Sequence, residues 1–119
     1  MELALVLPVL ILLLLGIMEF GRAYNTQILM TNAAREGARV MSISKDPALA
    51  RSAAIDAAST LNPKLVASNI AIASIGQTTT NLCPSGSTAT VTISYQLTSM
   101  TRIAGPFAMT GKAAMLCGG

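Results

Sequence analysis

Histidine and tryptophan are absent from this chain of 119 residues, and its aromatic side chains are limited to two Tyr and two Phe. Without histidine, the chain lacks the commonest general base and the commonest metal ligand. With so few aromatic rings, it offers little surface on which the bases of a nucleic acid could stack. We therefore expect no catalytic residue, no bound cofactor or metal, and no nucleic-acid partner.

Charge is also scarce in a chain whose length suits one modest domain. Eight Lys or Arg stand against five Asp or Glu, for a net charge of +3, and the basic residues are scattered between Arg22 and Lys112. The lysines fall in no nucleophile–base motif, and no histidine is available to activate the many Ser and Thr hydroxyls. An enzyme is therefore the function class that the sequence favours least.

An uncharged run of sixteen residues, Leu3–Met18, opens the chain. As a helix it would be about 24 Å long, slightly short of the bilayer core of about 30 Å. A cleaved signal peptide would have a basic start, whereas Glu2 is acidic. A buried helix of a soluble domain would need apolar surroundings on all sides, which the short remainder cannot supply. The run therefore favours a helix embedded in a membrane.

Two residues of this region are unusual for a plain membrane anchor. Pro8 leaves the carbonyl of Ala4 without a helical partner and predicts a kink or local break, although membrane helices tolerate proline. Glu2 carries a carboxylate beside hydrocarbon, which is costly unless it is paired or solvated. It lies either among lipid headgroups or, in a protein assembly, beside a cation such as the α-amino group of another subunit.

The helix is predicted to continue well beyond the apolar run. No proline interrupts residues 9–46, so one helix can extend to about Ser44, about 65 Å in all. Such a helix is far longer than a bilayer requires. Seven residues recur along it at a mean spacing near 3.5 residues, which predicts one packing stripe. They are Phe20, Tyr24, Ile28, Thr31, Ala34, Ala38 and Met41.

Small residues at helical spacing predict a close approach to this helix. Ala33 with Gly37, and Ala34 with Ala38, form two small-xxx-small pairs. Another helix or the protein's own sheet can use that space, and both alternatives stay open.

Charged residues on the helix are spaced for local pairing. Glu19 and Arg22 stand three residues apart, as do Glu36 and Arg39. They form either a solvated face or a set of contacts between subunits.

Two stretches of this region carry a resemblance to a known family. The sequence "ELALVLPVLILLLLGIMEFGRAY", followed by "TNAAREGARV", resembles the N-terminal region of TadE-like pilins, relatives of type IV pilins in tight-adherence (Tad) secretion systems. The resemblance covers about residues 2–41. It joins an acid before an apolar run, an internal proline, an E-F-G-R exit and an N-A-A-R-E-G-A-R helix in the right order.

The resemblance implies a helical stalk with a small exported head, cut by a prepilin peptidase after a glycine. It implies storage in the bacterial inner membrane, then assembly by the pilus machinery into a cell-surface filament of identical subunits with apolar helices at its centre. The acid of type IV-like pilins is the fifth residue after the cleavage point, whereas Glu2 is the second residue here. The residues expected to serve assembly are Glu2, Pro8, Glu19, Phe20, Arg22, Tyr24, Ala34, Gly37 and Ala38.

The predicted organisation is an N-terminal helix at residues 1–44, with its membrane or filament-core segment at 1–21, and a head at residues 45–119. Asp46 is an expected N-cap before Pro47, opening a helix over "ALARSAAIDAASTL" that ends before Asn62. Its apolar face is shallow, so it must pack closely; the residues are Ala50, Ala53, Ala54 and Ala57.

Three alternating runs predict an antiparallel sheet laid on the helices, and therefore an α+β fold. The strands are "NIAIASI" at 69–75, "TATVTISYQL" at 88–97 and a weaker "AMTGKAAMLC" from Ala108. Turn residues lie between them in "GQTTTN" and "CPSGS", and "AGP" at 104–106 breaks the chain before the third strand.

Cys83 and Cys117 are the only cysteines. If the head faces an oxidising exterior, the two can form a disulfide that compensates for a small core. Two free buried thiols are the alternative, and a metal site would need more ligands than two thiols.

The sequence thus favours a structural pilin subunit. One alternative is a membrane-anchored minor or accessory pilin that primes or regulates assembly. Another is an exported binding module, but the predicted head offers only Tyr95 and Phe107 as aromatic residues.

Overall fold

The computed structural model describes residues 2–61, 64–74, 82–97 and 107–117. Two helices and a three-stranded antiparallel sheet make up these residues, which confirms the predicted α+β class. The molecule measures 72 × 20 × 19 Å, because the first helix extends far beyond the rest. The elements are α1 (Glu2–Ser44), α2 (Pro47–Ala57), a 3-10 turn (Ala67–Asn69), β1 (Ile70–Ser74), β2 (Thr88–Leu97) and β3 (Phe107–Leu116).

The first helix, α1, is a single helix of 43 residues that ends at Ser44, as predicted. It remains helical through Pro8, so the local break that this proline predicted does not occur. Lys45 ends the helix in the left-handed conformation, with φ of 59°. Its N–H donates to the carbonyl of Met41 at 2.9 Å, which satisfies one of the last free carbonyls of the helix.

The second helix, α2, begins as its sequence indicated. The carboxylate of Asp46 accepts a hydrogen bond from the N–H of Ala48 at 2.9 Å, and Pro47 is the first helical residue. The helix ends at Ala57, four residues before the predicted end at Leu61. Turns follow instead, and they bring the side chain of Leu61 into the core.

The sheet has the order β1-β2-β3, with β2 in the centre. Ile93 of β2 lies opposite Ile70 of β1 and opposite Gly111 of β3. The odd-numbered residues of β2 from Ala89 to Leu97 are buried towards the helices, as the alternation predicted. The predicted strands are confirmed within the described residues, whereas the turns expected at 76–81 and 104–106 lie outside them.

Small side chains dominate the core where α1 meets α2. This packing anchors the second half of α1 in the head and leaves its first half outside. Buried alanines let the two helices approach closely, while Met30, Ile93 and Leu97 are among the largest fully buried side chains. The fully buried alanines of the helices are Ala33, Ala34, Ala38, Ala50 and Ala54.

Candidate assembly surface

The apolar segment, Leu3–Met18, has almost no contact with the rest of the chain. All its residues are exposed except Leu15, which is half-buried, and Leu3 and Leu5 are each 78% exposed. Contiguous apolar surfaces of this size are rare on soluble monomers and mark contacts with membranes or proteins. Among the described residues, α1 is the one helix long and apolar enough to cross a membrane.

Glu2 and Pro8 frame the start of this segment. Glu2 is the first residue of α1 and is exposed, so its carboxylate faces the surroundings of the helix. Pro8 is also exposed, and its ring lies on the surface that a partner or lipid would cover. The assembly roles of both residues remain predictions.

The end of the apolar segment is where α1 meets the head. Phe20 and Tyr24 are 76% and 64% exposed, whereas Glu19 and Arg22 are half-buried between the helix and the sheet. Gln27 fixes this junction, because its side-chain amide donates to the carbonyl of Thr110 at 2.9 Å. The aromatic side chains therefore face outwards while the charged ones turn towards the head.

The predicted packing stripe divides into two parts in the structure. Phe20, Tyr24 and Ile28 are exposed and form an apolar row along α1. The buried face of α1 is rotated from that row, and its residues are Thr26, Met30, Ala33, Ala34, Gly37, Ala38, Met41 and Ser42. The seven residues therefore do not pack on one surface within the chain. The first three, Phe20, Tyr24 and Ile28, remain available to another molecule.

Ala34, Gly37 and Ala38 are buried within the chain itself. A Cβ built on Gly37 would lie 3.3 Å from the carbonyl oxygen of Ala50 and 3.4 Å from Val91. The close approach that these small residues predicted is thus made by α2 and the sheet. Their participation in contacts between subunits remains a prediction.

Exposed charge on α1 pairs locally where the sequence indicated. Arg39 donates to the carboxylate of Glu36 at 3.2 Å, and both side chains are largely exposed. An exposed pair of this kind contributes about 0.2–1 kcal/mol, so it has little effect on the fold.

The far end of the head is closed by the Cys83–Cys117 disulfide, which confirms the predicted pairing. The N–H of Cys117 also donates to the carbonyl of Ser87 at 2.7 Å. Cys83 is fully buried beside Met41 and Ala50. The end of β3 is therefore attached to the loop before β2 and to the helices.

A groove of about 680 Å³ lies between α1 and the first residues of β3, and we call it the α1–β3 groove. Apolar side chains and backbone form most of its surface, with the Glu19 carboxyl and the Gln27 amide as polar members. Its main apolar residues are Leu12, Leu15, Phe20, Phe107 and Met109. The sequence did not predict this groove, because the position along α1 at which β3 packs depends on tertiary contacts.

Tyr95 lies beneath the sheet near the same junction. Burial raises the pKa of its phenol above the usual 10.0, and the positive charge of Arg22 partly opposes that shift. The folded chain therefore holds this proton more tightly than the unfolded chain does.

The raised pKa predicts a loss of stability at alkaline pH. The stabilisation is fully present below about pH 10 and is lost as the pH rises through the raised pKa of Tyr95. Tyr95→Phe should lose less stability between neutral and alkaline pH than the wild type. Urea unfolding across that range measures the difference, with the exposed Tyr24→Phe as the matched control. Equal alkaline losses in the wild type and Tyr95→Phe would contradict the prediction.

Metal-binding side chains do not converge within the part of the chain that is described. No group of three or more His, Cys, Asp or Glu residues there could hold a metal ion. The chemically notable features are instead the exposed apolar segment, the exposed aromatic row and the α1–β3 groove. Together they form a candidate assembly or membrane surface on a long helix that is anchored in a small α+β head.

A family model described as TadE-like protein matches residues 1–39 of this chain. The matched region contains the whole apolar segment and the exposed row, so it is the part of the molecule that carries the candidate surface. The match confirms the resemblance over this third of the chain. No curated protein and no solved structure matches the chain.

Proposed function

We propose that this chain is a structural pilin subunit that polymerises through α1 into an extracellular Tad-type pilus. The observation that carries the proposal is the extent of exposed apolar surface on α1. It begins at Leu3 and continues, through Phe20 and Tyr24, to Ile28.

This surface is longer than a bilayer needs. From Leu3 to Ile28 the helix rises about 38 Å, whereas the hydrocarbon core of a bilayer is about 30 Å thick. A membrane alone therefore leaves the last turns of the exposed row in water. Packing against the same row of neighbouring helices covers its whole length.

The apolar segment also suits the centre of a helical fibre. A helix that is apolar all round is stable only in lipid or among other apolar helices. Ten of its sixteen residues are Leu or Ile, and covering each of these side chains from water contributes about 1.5–3 kcal/mol. Outside the membrane the segment is therefore stable when sister helices cover it, while the exchange from lipid itself depends on close packing between helices. The head, joined to the other end of α1, would then face solvent.

The remaining parts of the proposal concern partners and location. The precursor would reside in the bacterial inner membrane, be cut by a prepilin peptidase and be delivered by the pilus assembly machinery. Glu2 would then pair or be solvated within the assembly, since unpaired charge among apolar helices is costly. The similarity of residues 1–39 to TadE-like proteins supports this sequence of events.

Two other roles predict different observations. A minor or accessory pilin would be present in trace amounts in the fibre or stay in the membrane. A binding module would present ligand-binding side chains on the head, but Tyr95 is buried and Phe107 lies at the α1–β3 groove. The exposed row on α1 favours assembly over ligand binding.

The test changes the exposed row outside the bilayer span. Ile28→Glu places a carboxylate on that row, where burial between helices without a partner costs several kcal/mol. Asn25→Glu adds the same charge at an exposed polar position one turn away and is the matched control. Both variants keep the apolar segment, so both should reach the membrane.

The measurement is electron microscopy of sheared cell-surface material, with mass spectrometry of the fibre subunit and its N-terminus. We expect wild-type and Asn25→Glu chains to form the bulk of thin filaments, and Ile28→Glu chains to remain in the membrane fraction. A fibre containing the chain only in trace amounts would assign the accessory role. A wild-type fibre yield from Ile28→Glu would show that the exposed row is not the contact.

A further inference from the structure

We propose that, before assembly, the head rests on the membrane through the start of β3, and that phospholipid acyl chains fill the α1–β3 groove. The inference rests on the membrane-anchored stage of the proposed function and adds a second membrane contact to it. That contact is formed by Phe107, Ala108 and Met109.

The orientation of β3 places these residues at the membrane end of the head. Thr110 is level with Gln27 through their hydrogen bond, Gly111 approaches Met30, and Cys117 lies in the cluster around Met41. Residue numbers thus rise together along α1 and β3. Three residues back from Thr110 is about 10 Å, or about seven helical residues, which brings Phe107 to the level of Phe20.

The length of the apolar segment favours lipid at this level. Leu3–Met18 spans about 24 Å, and the hydrocarbon core of about 30 Å requires roughly four more helical residues. Those are residues 19–22, and the groove extends along the same part of α1. The first residues of β3 therefore lie at the depth where the uncharged segment has ended but the hydrocarbon core has not.

The distribution of aromatic residues indicates the same depth. Three of the four aromatic side chains, Phe20, Tyr24 and Phe107, are exposed at the level of the groove, whereas Tyr95 is buried. Aromatic side chains with an apolar ring and, in tyrosine, a polar tip are typical of the membrane–water interface. Residues 107–111 carry no charge, and the first charge of β3 is Lys112, farther from the apolar segment.

A single tryptophan can test this contact, because the chain contains none. Three full-length variants are reconstituted in phosphatidylcholine vesicles whose acyl chains carry bromine, which quenches nearby tryptophan. Phe107→Trp reports on the proposed contact. Leu10→Trp reports on the apolar segment, and Leu116→Trp, at the exposed far end of β3, is the matched control.

We expect Phe107→Trp to emit at a shorter wavelength than Leu116→Trp. It should lose most of its emission when the bromine is near the headgroup end of the acyl chains. Leu10→Trp should be quenched best by bromine placed deeper, and Leu116→Trp should not be quenched. If Leu10→Trp is quenched and Phe107→Trp is not, the inference is wrong while membrane anchoring stands. If Phe107→Trp shifts only in assembled fibres, the groove takes a second copy and the inference is also wrong. If Leu10→Trp is not quenched, the membrane-anchored stage fails and the inference with it.

Discussion

Replacing both Cys83 and Cys117 by alanine should lower the free energy of unfolding of the head by about 4 kcal/mol. The disulfide closes a loop of 35 residues, counted from a sequence separation of 34. In the chain-entropy account, such a crosslink stabilises the fold by restricting the unfolded chain. Small domains are stable by only about 5–15 kcal/mol, so this loss is a large share of the total.

The structure adds a second reason for a large effect. Cys83 and Cys117 are buried with Met41, Ala50 and Ala89, and this cluster contains few large side chains. Removing the sulfur atoms leaves space that the neighbouring alanines cannot fill. The end of β3 would then be held mainly by its strand pairing and by the hydrogen bond from Cys117 to Ser87.

The measurement is urea unfolding of the full chain in detergent micelles, followed by tyrosine fluorescence and circular dichroism. A reducing agent provides the control: it should destabilise the wild type by a similar amount and leave the double alanine variant unchanged. A double variant within about 1 kcal/mol of the wild type would show that the crosslink does not determine the stability of the head.

Gly111→Val should destabilise the head by about 3 kcal/mol. A Cβ at residue 111 would lie 2.8 Å from both the carbonyl carbon and the carbonyl oxygen of Met30. Those atoms belong to the backbone of α1, so they cannot rotate away as a flexible side chain would. The strand must instead move away from the helix, which weakens packing around Ile93 and the Gln27–Thr110 hydrogen bond.

Ala114→Val is the matched control on the same strand, since residue 114 is exposed and valine favours strands. Its free energy of unfolding should stay within about 0.5 kcal/mol of the wild type. The same urea titration compares the two variants. Equal stabilities would mean that α1 and β3 separate at little cost.

Much of the local structure followed from the sequence. The absence of proline over residues 9–46 and a continuous helical pattern predicted α1 to its final residue. Asp46 and Pro47 predicted the start of α2, because capping depends on neighbouring residues only. Alternation with period two predicted all three strands. A pair of cysteines on a head expected to be exported predicted the disulfide.

Other features depend on distances between parts of the chain that are far apart in sequence. The end of α2 came earlier than predicted, since tertiary burial of Leu61 outweighed local propensity. Gly111 stood inside a strand pattern, where glycine can signal a close backbone approach. The identity of the approaching residue, Met30, was decided only when β3 packed on α1.

The sequence by itself determined that this protein has one long helix with an apolar first part, because composition and helical periodicity are local properties. Only the tertiary structure decided which face of that helix stays free. Alanine and glycine near residues 33–38 fit a sister helix and a sheet equally well, and within this chain they pack against α2 and β2. By covering one face, they left Phe20, Tyr24 and Ile28 exposed on another, where a further molecule can bind.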